Sequence, residues 1–159
     1  MNRSIPFGFP NGRSLRALLP GVLLALAFPA WASLGDNVTT VQNDKMHMKG
    51  SLRTVATQHY VKHEITTPTG QVVREFVSSD GKVFGVAWQG PVIPNLQQVL
   101  GSYFARFQAT AQSRRRMHGP LVIHEAGLVL ESTGHMTAYR GTAYIPEMLP
   151  EGVHSDAIQ

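Results

Sequence analysis

The chain has 159 residues, with 14 basic and 10 acidic side chains, seven histidines and no cysteine. The lack of cysteine excludes structural disulfides, thiol chemistry and the lipidated cysteine of an anchored lipoprotein. A net charge of +4 would ordinarily point to an anionic partner such as nucleic acid, but three arginines sit in an N-terminal leader, and without them the balance is 11 − 10 = +1.

In that leader, Arg3, Arg13 and Arg16 precede an apolar stretch from Ala17 to Phe28, and Ala30-Trp31-Ala32 closes it with small residues at alternate positions. Basic, apolar, small-x-small is the order of a secretory signal peptide. The apolar stretch is about a dozen residues, where a membrane-spanning helix needs about twenty. The expectation is a signal peptide over residues 1–32, cleavage near Ala32–Ser33, and a periplasmic or secreted single domain over 33–159, with no transmembrane segment. A chain of that size buries roughly two-thirds of its unfolded surface, enough for one core without staples.

Residues 33–49 are polar, with Val38, Val41, Asp44 and Lys45 at loosely helical spacing, and are read as a short helix. Leu52–Thr66 is rich in β-branched and aromatic residues, and Pro68-Thr69-Gly70 supplies a turn. Gln71–Ser78 alternates, with Val73, Glu75 and Val77 on one face and Val72, Arg74 and Phe76 on the other. Ser79-Asp80-Gly81-Lys82 reads as a hairpin turn, Val83–Trp88 as the return strand, and Gly90-Pro91 as its end. Leu96, Val99, Leu100, Tyr103, Phe104 and Phe107 then form an apolar stripe of helical period. Asn95 is its expected N-cap, with Gln98 three residues on. Arg114-Arg115-Arg116 and His118-Gly119-Pro120 stop the far end; cations there suit the negative pole of the helix, and a nucleic-acid patch would need more basic and aromatic residues. Leu121–His124, Leu128–Glu131 and Met136–Ile145 are β-like, separated by Ala126-Gly127 and Thr133-Gly134. The order helix, strands, helix, strands argues for an α+β domain in which a central amphipathic helix packs on an antiparallel sheet. Val61-Lys62-His63-Glu64 and Val122-Ile123-His124-Glu125 open the two strand blocks alike, which suggests a duplicated helix-plus-meander unit.

One succession of motifs spans most of the domain: Gly70-Gln71-Val72-Val73-Arg74-Glu75-Phe76, Gly81-Lys82-Val83-Phe84, Trp88-Gln89-Gly90-Pro91, Pro94-Asn95-Leu96 and Leu100-Gly101-Ser102-Tyr103-Phe104. Gly134-His135-Met136 and Gly141-Thr142-Ala143-Tyr144-Ile145-Pro146 complete it. In this it resembles an exported proteobacterial family known as domain of unknown function 2844. The resemblance implies a signal peptide and a single small domain, and carries over no catalytic residues.

Motifs for catalysis are missing: there is no Gly-x-Ser-x-Gly elbow, His-Glu-x-x-His or glycine-rich phosphate loop. Glu64, Glu75 and Asp80 share a strand block and would serve an envelope hydrolase if they converged; a cross-strand ion pair with Arg74 or Lys62 is the plainer role for a strand carboxylate. Three histidines adjoin methionines, in Met46-His47-Met48, Met117-His118 and His135-Met136. Imidazole and thioether suit reduced copper, so His47, His118 and His135 are the candidate ligands of a copper- or zinc-binding protein, provided folding gathers them. His59 and His63, about 13 Å apart on a strand, are too far apart to chelate one ion. Trp88, Pro91 and Pro94 form a possible recognition surface, although strand aromatics ordinarily belong to the core. The reading that follows is a cell-envelope binding or accessory module without catalytic function or cofactor. Its partner would be an envelope protein or small ligand and not nucleic acid. A metal-handling protein is the alternative, and a hydrolase the third.

Overall fold

The structure is a computed structural model, and it describes residues 34–114 and 119–159. The expected leader, and Arg115, Arg116, Met117 and His118, lie outside the described residues.

Seven antiparallel strands form one sheet. They are β1 (Ser51–Ala56), β2 (Tyr60–Thr66), β3 (Val72–Ser78), β4 (Val83–Gly90), β5 (Leu121–Glu125), β6 (Leu128–His135) and β7 (Ala138–Tyr144). Their spatial order is β1-β2-β3-β4-β7-β6-β5. Short links explain the local pairing. Gly81 takes φ 79° in the β3–β4 turn, a left-handed conformation that Asp-Gly supplies readily. The sheet is thus two meanders, β2-β3-β4 and β5-β6-β7, meeting where β4 pairs with β7, with β1 added at one edge. Each meander is preceded by helix: α1 (Val41–Met48) for the first, α2 (Leu96–Leu100) and α3 (Phe104–Ser113) for the second. The two Val-x-His-Glu segments are not equivalent within this plan. Register places His63 in one row with Glu75, Val86, Ala143, Leu130 and Ile123. His124 therefore faces the other way.

One face of the sheet carries the helices. Val73, Val86, Trp88, Leu128 and Leu130 meet Leu96, Val99 and Leu100 in the main core, with Tyr103, Phe104 and Phe107 packed against it half-buried. Asn95 caps α2 as its sequence position predicts, its side chain accepting from the Gln98 N–H at 3.3 Å. The apolar stripe is not one helix, however. Gly101 adopts φ 51°, ψ −121° at the end of α2, and a 3-10 turn over Gly101–Tyr103 leads into α3. The break divides the stripe into α2, whose Leu96, Val99 and Leu100 are buried, and α3, whose Phe104 and Phe107 pack half-buried. The second correction concerns the β6–β7 turn. It falls at Met136-Thr137, with Thr137 at φ 69°, and not at Thr133-Gly134. Gly134 instead stays in β6 opposite Tyr139, where a Cβ would come within 2.7 Å of the Tyr139 Cα.

The C-terminal segment folds over the opposite face. Val153 and Ile158 bury Phe76, Phe84 and Ala87 in a second, smaller core. Ile158 lies directly over Gly85, 3.0 Å from where a Cβ would be. Among the described residues the segment covers only part of that face.

Candidate functional site

The open part of the helix-free face is built by register. Arg74, Ala87, Thr142 and Glu131 are successive cross-strand partners and form one row. Val72, Gln89, Arg140 and Thr133 form the next. Alternation points all of them away from the helices. Two adjoining grooves lie over these rows. The first, of about 340 Å³, is floored by Ala87 and Thr142 and bounded by Arg74, Glu131 and Gln159. The second, of about 520 Å³, is bounded by Gly70, Pro91, His135 and Thr137. Gln89, Thr133 and Arg140 line both, so the grooves form one continuous feature. Both volumes fall within the usual range of small-molecule sites.

The charges on this face are not equivalent. Arg74 donates to Glu64 at 2.7 Å, the cross-strand ion pair expected for that residue, and both side chains are largely covered. The Arg140 side chain is exposed and, among the described residues, has no hydrogen-bond or ion-pair partner. The ion pair leaves Arg74 electrostatically satisfied, while the Arg140 guanidinium keeps its five donors for solvent or ligand.

A second polar cluster lies on the opposite side of the sheet, inside the main core. Asp44 from α1, Glu75 from β3 and Gln98 from α2 are all buried, at 0%, 1% and 5% exposure. Gln98 Nε2 donates to Asp44 Oδ1. Burial pushes the Asp44 carboxyl up to about 6, against the opposing effects of hydrogen bonds from Gln98 and Glu75 and of nearby His47. Glu75 is driven well above the usual carboxylate range, first by burial and then by the charge of Asp44 beside it. Asp44 Oδ2 and Glu75 Oε2 lack a donor if both groups are drawn ionised. A proton held on Glu75 supplies it and joins the two carboxyls. This arrangement ties α1 and α2 to the sheet, and it is enclosed within the core. Next to it in the same row, His63 is pushed below its ordinary value by burial, and its Nδ1 lies 3.0 Å from Thr54 Oγ1.

The candidate residues scatter. His47 lies on α1, on the helix side, with Met46 exposed and Met48 half-buried against the core. His135 ends β6 and lines the second groove on the opposite side, followed by exposed Met136. His118 and Met117 lie outside the described residues. The sheet separates His47 from His135, and among the described residues no three His, Asp or Glu side chains are arranged to hold a metal ion. Trp88 is 2% exposed and packs over Gly141 in the core; Pro91 lines the second groove and Pro94 is half-buried ahead of α2. Glu64, Glu75 and Asp80 do not converge: the first two face opposite sides of the sheet, and Asp80 is exposed in the hairpin turn, bonded to Ser78. Arg140 and Asp44 were not singled out as site residues from sequence. The available signals were an acid, Glu75, between Val73 and Val77 on the buried face, and Asp44 three residues from Val41 on the same helix face.

No helix among the described residues is long and apolar enough to cross a membrane. No curated protein and no solved structure matches the chain. A family model matches residues 30–158, in agreement with the order of the motifs along the domain. The chain therefore belongs to the family described as Protein of unknown function (DUF2844).

Proposed function

We propose that the chain is exported, loses its leader near Ala32–Ser33, and works in the cell envelope as a non-catalytic binding module whose cargo lies in the double groove of the helix-free face. The observation that carries this reading is the groove itself, two adjoining chambers sharing Gln89, Thr133 and Arg140. Rigid strands position its side chains, which favours preorganised binding over a mobile loop site. The acids a hydrolase would recruit are engaged elsewhere, Glu64 with Arg74 and Glu75 with Asp44. Export is supported by the charge and apolar order of the leader and by a family match that begins at residue 30, where the apolar stretch has ended.

The test is native mass spectrometry of the protein recovered from its own host's envelope. The expected species is Ser33–Gln159 carrying a small organic adduct that is lost on denaturation. A mass that retains the leader would refute export. A processed chain that is bare at every salt and detergent condition would refute a resident cargo, and an adduct of copper or zinc mass would replace this reading with metal handling.

A further inference from the structure

The second groove brings three features together. Arg140 is the one residue with a full charge at neutral pH among those lining it, and no aspartate or glutamate is present there. Thr133 and Gln89, the cross-strand partners flanking Arg140, offer uncharged hydrogen-bonding groups beside the guanidinium, and His135 and Thr137 line the same chamber. Three turns then meet around its mouth: the β2–β3 turn at Gly70, the connector after β4 at Pro91, and the β6–β7 turn at His135–Thr137.

Those turns carry apolar side chains into solvent. Val92 and Ile93, which follow Pro91, are 47% and 52% exposed, and Met136, between His135 and Thr137, is 82% exposed. They are three of the five large apolar side chains exposed among the described residues. One exposed apolar residue requires no explanation, whereas several carried on the turns that border one groove favour a binding site there. An unpaired arginine ringed by neutral donors with apolar side chains at the rim is complementary to one kind of molecule.

Resting on the binding-module reading, we infer that the second groove takes a free amphiphilic oxyanion, a carboxylate or phosphate on an apolar body. Arg140 holds the oxyanion, Thr133 and Gln89 complete its hydrogen bonding, and Val92, Ile93 and Met136 meet the apolar portion. The neighbouring chamber is less suited to the anion, because Glu131 lines it and its other arginine is already paired with Glu64.

The experiment is a nitrogen-15 NMR titration of the chain, produced in full in an exporting host, with octanoate, 1-octanol and phosphatidylglycerol vesicles as separate probes. Octanoate is expected to shift the amide signals of Thr133, His135 and Arg140, with 1-octanol binding about tenfold more weakly or worse. Arg140→Gln should weaken octanoate about tenfold or more while leaving 1-octanol unchanged, and Arg140→Lys should fall between. The Arg140 side chain is exposed and makes no hydrogen bond or ion pair among the described residues, so the unfolding midpoint of Arg140→Gln should match that of the parent, which separates lost binding from lost folding. Equal binding of octanoate and 1-octanol, insensitive to Arg140→Gln, overturns the oxyanion. Binding to vesicles without binding to octanoate overturns the free ligand and makes the rim a membrane contact. Either result leaves the resident cargo to be judged by the mass of the recovered protein, so the two proposals fail separately.

Discussion

Replacing Asp44 with asparagine isolates the buried acid pair, because the amide keeps the shape and the acceptor that Gln98 uses while removing the charge. In the folded chain burial raises the Asp44 carboxyl from 3.8 to about 6. A carboxyl whose folded value is raised holds its proton more tightly in the native state, so its contribution is fully present below the unfolded value and is lost as pH rises through the folded one. A rise from 3.8 to about 6 is about two pKa units, which corresponds to about 3 kcal/mol. The wild-type protein should therefore lose most of this, about 2 kcal/mol, relative to Asp44→Asn, between pH 4 and pH 7. The assay is urea unfolding followed by tryptophan fluorescence at unit pH steps across that window. Titrating groups remote from Asp44 are common to both chains and cancel in the difference, while Glu75, which the Asp44 charge helps to raise, adds to it in the same direction. The two proteins should agree near pH 4, and the variant should be the more stable at pH 7. Parallel stability curves across the whole window would refute the reasoning, since they would mean that Asp44 does not change its proton affinity on folding.

Gly141→Ala should be severe, because its Cβ would lie 2.2 Å from Trp88 Cζ2 and 2.7 Å from the Glu131 carbonyl oxygen. With Trp88 enclosed on all sides, we expect a loss of about 3 kcal/mol in urea unfolding, and a change within about 0.5 kcal/mol would show that the ring has room to shift. His63→Gln tests the opposite pH slope. A histidine depressed by burial adds stability above its ordinary value of 6.5 that is lost as pH falls below it, so the variant should lose less stability than wild type between pH 7 and pH 5. Glu64→Gln should cost about 1 kcal/mol, because the largely covered Arg74 loses its ionic partner. A double-mutant cycle with Arg74→Gln should recover most of that as coupling energy, and no coupling would mean that the pair adds nothing beyond its packing.

Particular elements show how far local chemistry reaches. The β3–β4 hairpin was legible because alternation and an Asp-Gly turn agree, and both act within a few residues. Asn95 was legible as a cap for the same reason: proline before it and an apolar period after it leave one place for the helix to begin. Gly101 was not legible as a break, since the stripe continues through it in phase, and only the shape of the sheet beneath decides whether α2 and α3 run straight. Gly134 read as a turn residue because glycine serves both turns and close approaches. Its actual role depends on Tyr139, a residue of the next strand.

The order of elements and the apolar faces are properties of short stretches, and the sequence determined them without help from the fold. Which polar groups stand together was decided by register and layering. A shift of one residue in β3 would turn Glu75 from the core to solvent and Arg74 from solvent to the core. The meeting of Asp44, Glu75 and Gln98 spans three elements, and the groove around Arg140 exists because two meanders from opposite ends of the domain join at β4 and β7. Such encounters depend on long-range pairing, which composition and periodicity do not encode. Two of the histidine–methionine pairs, prominent as local motifs, were separated by the same layering, with His47 and His135 on opposite sides of one sheet.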